Sequence, residues 1–173
     1  MKKSVFRQGI ALLVCSGLVT AFLTAQPAKE RLEELPPVFM IGEYEAEYEA
    51  LTGNYSRSLL DVCGNDMTLA FDLWIGLIEE MDAYSKTAGF ELNGIKAWFH
   101  VFFEKDGTIS KIGFHLKPTS RNVDTQALVG FLAQFIAQYK FPYSSLVNYS
   151  NYTSVSFPTM YNRPFPGDNH GGE

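Results

Sequence analysis

His100 and His115 carry the clearest chemical potential in this sequence. They stand in the arms IKAWFHVFFE and TISKIGFHL of a predicted β-hairpin, Ile95 to Leu116, joined through Lys105-Asp106-Gly107-Thr108. Asp-Gly between alternating apolar runs is a strong hairpin signal, and a two-residue loop needs positive φ at both residues. With Lys105 facing Thr108, Val101 faces Ile112, Phe99 faces Phe114 and Ala97 faces Leu116, so one side of the ribbon is apolar. The other side carries Lys96, Trp98, His100, Phe102, Glu104, Ile109, Lys111, Gly113 and His115. There His100 lies opposite Gly113 and His115 opposite Trp98, which makes the two imidazoles diagonal neighbours within the span of a bridging metal. A metal needs a third ligand, and on this side only the distant Glu104 offers one. The expected site therefore holds neither a metal nor another cofactor.

Other reactive side chains lack partners in the local sequence. Cys63 sits among Leu59, Leu60 and Val62, the setting of a buried, inert thiol. Nothing local places a base beside Cys63 or the Ser144-Ser145 pair. The glutamates at 43, 45, 47 and 49 radiate around a predicted helix and do not converge on a cation. No Gly-rich phosphate loop, CxxC pair or HExxH occurs. The expectation is a protein that is not an enzyme. The alternative is a small metal-dependent or hydrolytic enzyme on the His100/His115 face, which requires a ligand or base supplied by the N-terminal helices.

The elements that position these residues follow from periodicity. Glu43 to Gly53 reads as a helix with Tyr44, Tyr48 and Leu51 on one stripe, and Tyr55 to Val62 as a second, short one. Asn65 or Asp66 caps a long core helix with Met67, Ala70, Phe71, Trp74, Leu77, Ile78, Met81 and Tyr84 in register. Asn122 or Asp124 starts another, carrying Leu128, Phe131, Leu132, Phe135, Ile136 and Tyr139 and ended by Pro142. Val147 to Phe157, rich in Tyr, Ser, Thr and Val, reads as a last strand. The fold class is α+β: a small antiparallel sheet of about three strands packed on amphipathic helices, with an additional helical N-terminal part.

Charge and leader constrain the setting. Met1 to Gly9 holds three cations and Ile10 to Ala25 is apolar, the pattern of a cleaved export signal, with cleavage expected near Ala25. Removing Lys2, Lys3 and Arg7 takes the 14 basic residues to 11 against 19 acidic ones, a balance of −8. Such a chain excludes a nucleic-acid partner. Membrane attachment requires either a retained N-terminal segment or a lipid on Cys15, whose preceding residues match a lipobox only at leucine. The predicted organisation is a signal peptide over 1–25, a linker over 26–37, one domain over 38–160 and a flexible tail over 161–173. Within the domain, 43–86 is helical. The location is periplasmic or secreted, with a membrane-anchored lipoprotein as the alternative.

Taken together, GIKAWFHVFFEKDGTISKIGFHL, LVGFLAQFIAQYKFP and YTSVSFP make residues 94–157 resemble the C-terminal domain of TonB-type energy transducers. That resemblance implies a strand-turn-strand-helix-strand fold and a partner in the envelope, bound by pairing a short segment onto an edge strand, here Val147 to Phe157. The family's long proline-rich spacer has no counterpart in Gln26 to Pro37, which reaches only about 40 Å when fully extended. Fold and binding, not energy transduction, are what carries over. The outer hairpin side is too apolar to leave bare at Trp98, Phe102 and Ile109, and too polar for a core at Lys96, His100, Lys111 and His115. Either the N-terminal helices cover it or a partner does. Candidate contact residues are Trp98, His100, Phe102, Lys111 and His115 on this face, with Tyr152 and Val155 at the last strand.

Overall fold

A computed structural model describes residues Leu35 to Thr159. The export segment, Cys15, the cleavage position near Ala25, most of the linker and the tail from Met160 lie outside the described residues. In chain order the elements are β1 (Val38–Met40), α1 (Glu45–Asn54), β2 (Arg57–Ser58), α2 (Leu59–Val62), α3 (Met67–Ala88), β3 (Lys96–Phe103), β4 (Ile109–Leu116), α4 (Thr125–Gln138) and β5 (Tyr149–Ser156). The α+β class holds, but the sheet has five strands in the order β1-β4-β3-β5-β2 and is mixed. β3 pairs antiparallel with β4 and β5, while the short β1 and β2 pair parallel at the two edges. Those two strands escape a pattern reading because three and two residues are too few to display a period.

The hairpin body keeps the expected register: Ala97 faces Leu116, Phe99 faces Phe114 and Val101 faces Ile112. Its turn does not. The Gly107 N–H donates to the Glu104 carbonyl and the Glu104 N–H to the Thr108 carbonyl, so the loop has three residues. Only Gly107, with φ +86°, takes the left-handed region; Asp106 does not. This is a β-turn followed by a left-handed glycine, the usual three-residue hairpin. The register slip this causes is cancelled by a bulge, since Phe103 pairs with Ile109 and Phe102 with Lys111, leaving Ser110 as the extra residue. One correction follows. Ile109 turns to the apolar side and joins the helix-facing core, not the outer side.

That core lies between the sheet and the two long helices. Ala97, Phe99, Val101, Ile112, Phe114 and Val155 meet Trp74, Leu77, Ile78 and Met81 of α3 and Leu128, Phe131, Leu132 and Phe135 of α4. Each such Val, Leu, Ile, Phe or Met side chain, fully buried, contributes roughly 1.5–3 kcal/mol. Asp66 caps α3 by accepting the Leu69 N–H, and Asp124 caps α4 by accepting from Gln126 and Ala127. Met67 and Phe71, expected on the core stripe of α3, are exposed. No helix of the described residues is long and apolar enough to cross a membrane.

Candidate interaction face

Among the described residues, the second face of the sheet is half covered and half bare. Leu35 and α1 cover the first half, packed with Phe39 of the edge strand β1. Tyr44, Tyr48 and Leu51, the helical stripe expected from their spacing, pack with Leu35, Phe39, Tyr55 and Phe102 into a small second core. Gly113 makes room for it: a Cβ there would stand 3.0 Å from Phe39 Cζ and 3.2 Å from Ile41 Cγ1. Lys111 donates from Nζ to the Leu35 carbonyl at 2.6 Å, and Tyr55 donates to Glu104 at 2.5 Å. Leu35 is already packed, so ordered structure reaches into the end of the predicted linker.

His100 marks the boundary of the cover. Its Nδ1 lies 2.8 Å from the Tyr48 hydroxyl and its Nε2 3.1 Å from Ser150 Oγ, whose own proton goes to the Tyr55 carbonyl. The directions are thereby fixed: Tyr48 donates to Nδ1, Nε2–H donates to Ser150, and Ser150 donates to the backbone. His100 is neutral in this chain, and loss of water pulls its pKa down to about 4. Aromatic rings continue across it. Phe39 meets Tyr48 at 5.9 Å, Tyr48 meets His100 at 5.7 Å, and His100 meets Tyr152 at 5.3 Å between centroids.

Beyond Tyr152 no other described element covers the face. Tyr152 stacks on Trp98 at 5.4 Å with planes 19° apart, and the two remain 53% and 38% exposed. Lys117 Nζ sits 4.9 Å over the Trp98 ring and bonds to Ser154 Oγ. His115 is exposed opposite Trp98. The strand positions on this half carry Lys96, Trp98, His115, Tyr152, Ser154 and Ser156, with Lys117 directly after β4, and not one carboxylate. On an acidic chain this is a basic, aromatic, flat surface. None of four hollows of about 370–600 Å³ found on the described residues includes any of these side chains. A flat floor suits a macromolecule better than a small ligand.

The seven candidate residues thus part company. Trp98, Tyr152 and His115 come together on the bare half. His100 lies at its rim, 9% exposed. Phe102 is sealed beneath α1, Lys111 is bonded beneath the leading segment, and Val155 points to the opposite, helix-facing core. Lys117, Ser150 and Tyr48 take part without having been singled out. Lys117 was legible, because it keeps the same strand parity as His115.

Both ring nitrogens of His100 are occupied by neutral partners, and among the described residues no three His, Cys, Asp or Glu side chains converge as metal ligands. Ser144 and Ser145 line a hollow with Arg57, Val62, Tyr143, Leu146 and Val147, none of which is a general base at neutral pH. Cys63 is buried, which pushes its thiol pKa up, away from the reactive thiolate. No protein-family model matches the chain, and neither a curated protein nor a solved structure matches it significantly.

Proposed function

We propose that this chain is an exported, non-catalytic interaction module of the bacterial cell envelope that meets a protein partner through the bare half of its second sheet face. The observation that carries the reading is the Trp98–Tyr152 stack, open to solvent under the Lys117 ammonium on a floor without carboxylates. Stacked aromatics beside a cation are the side chains that dominate protein contacts when desolvated. Exposed aromatic area of this kind needs a reason on a sheet that elsewhere is carefully covered.

A TonB-C-like role for residues 94–157 belongs to the same proposal. Support comes from the succession β3, turn, β4, α4, β5, and from the state of the β5 edge. β2 pairs only with Tyr149 and Ser150, so Asn151 to Ser156 has no strand neighbour on that side among the described residues. Because the Phe157 N–H donates to the Ile95 carbonyl, alternation turns the backbone groups of Tyr152, Ser154 and Ser156 outward. These residues include no Lys, Glu or Pro of the kind that blunts an edge. An extended segment of an envelope protein pairs along this edge.

The test is a photo-reactive benzoylphenylalanine in place of Tyr152 in the producing cells, with Glu80 on α3 as the control position. A discrete adduct at 152 and none at 80 supports the reading; no adduct at 152, or equal adducts at both, contradicts it. The mass of the purified mature chain tests export separately. A start near Gln26 supports cleavage, and a lipid on Cys15 contradicts it.

A further inference from the structure

The two halves of the second face form a step. On one half α1 stands about 10 Å above the sheet, the thickness of a helix; on the other the strands are uncovered. The outward side of α1 carries Glu45 and Glu49, both exposed, among Ala46, Ala50 and Gly53. The lower floor carries Lys96, Lys117 and His115 around Trp98 and Tyr152. Height and charge are therefore opposite on adjacent halves of one surface.

A two-fold interface between identical chains requires just that property, since each feature and its complement must lie on the same patch. We infer that the partner of this face is a second copy of the chain: two copies meet face to face about a two-fold axis at the step. The acidic α1 of each settles on the basic aromatic floor of the other. Trp98 and Tyr152 are then buried, and Glu45 and Glu49 approach Lys96 and Lys117 across the interface. The inference rests on the reading of this half as an interaction surface and names its occupant.

Sedimentation velocity of the mature protein, with charge-reversed variants, tests it. The parent is expected to sediment as a dimer at micromolar concentration. Lys96→Glu/Lys117→Glu and Glu45→Lys/Glu49→Lys are each expected to be monomeric, because each places like charges at both contacts. Mixing them in equal amounts is expected to restore a dimer, since one variant's altered floor meets the other's altered helix. Circular dichroism confirms that each variant is folded, and recovery on mixing cannot come from a misfolded chain. A parent that stays monomeric, or a dimer indifferent to both reversals, overturns the inference. The photoadduct at position 152 separates the two ideas. An adduct of twice the chain mass supports the second copy. An adduct of another mass keeps an interaction surface but removes the second copy, and the lack of any adduct removes both.

Discussion

The Tyr48 hydroxyl donates to His100 Nδ1 at 2.8 Å, and this bond ties the helix that covers half of the sheet face to the strand at the centre of the sheet. α1 has no fully buried residue of its own. Its hold on the sheet includes the Tyr44, Tyr48 and Leu51 stripe, this polar link, and the bonds of its C-cap Tyr55 to Glu104 and Ser150. What lies left of His100 is core, and what lies right of it is surface.

The first prediction concerns acid. His100 falls from its usual 6.5 to about 4 because it is buried, so between those values the unfolded chain binds a proton that the folded chain does not. Stability is therefore undiminished by this group above about pH 6.5 and is lost as pH falls toward 4. The loss by about pH 4.5 is expected to be about 2 kcal/mol, allowing for solvent that reaches the ring edge. Urea unfolding of the parent and of His100→Gln at several pH values checks this. The variant should show a flatter profile through that window, and parallel profiles would refute the assignment.

The second concerns two glycines. A Cβ on Gly107 would lie 2.3 Å from the Phe141 carbonyl oxygen and 2.9 Å from that of Tyr143, on a residue already at φ +86°. Backbone cannot yield as a side chain does, so Gly107→Ala is expected to cost about 2 kcal/mol or more. Gly113→Ala meets the edge of the Phe39 ring instead and is expected to cost roughly 1 kcal/mol, loosening the cover locally. Equilibrium unfolding gives the order, and faster amide exchange in α1 should accompany the Gly113 change alone. A reversed order would mean that the turn is less constrained than its packing against 140–145 implies.

The third concerns the thiol. With Cys15 replaced by Ser, Cys63 should resist iodoacetamide at about pH 8 in the folded chain and react promptly in urea, because burial disfavours the thiolate. Rapid stoichiometric labelling of the folded chain would instead mark Cys63 as a candidate nucleophile and favour the enzyme alternative.

Much of this arrangement was legible in the residues, for identifiable reasons. The alternation in IKAWFHVFF and ISKIGFHL set the body of the hairpin, because a slip of one residue would turn every Phe and Ile to the wrong side. The caps at Asp66 and Asp124 stood where the helices begin. The turn was misread because Asp-Gly fits both a two-residue loop and the end of a three-residue one, and the compensating bulge at Ser110 leaves no mark in the pattern. β1 and β2 were missed because they are too short to be periodic. The site was half visible. Parity placed Trp98, His100, Phe102 and His115 on one side, but only the tertiary path of α1 decides that Phe102 is sealed and Trp98 open. Val155 was named with Tyr152 as part of the edge strand, whereas strand residues an odd number of positions apart face opposite ways.

The most direct measurement is the yield of the photoadduct at position 152 with and without Trp98→Ala. Trp98 lies on the surface, and its stack with Tyr152 contributes only about 0.5–1.5 kcal/mol to stability, so urea unfolding should show both chains folded. If the bare half is the contact surface, removing its central ring should lower the adduct yield about tenfold or more. An undiminished yield from an equally folded Trp98→Ala chain would mean that the aromatic floor is not where this protein meets its partner.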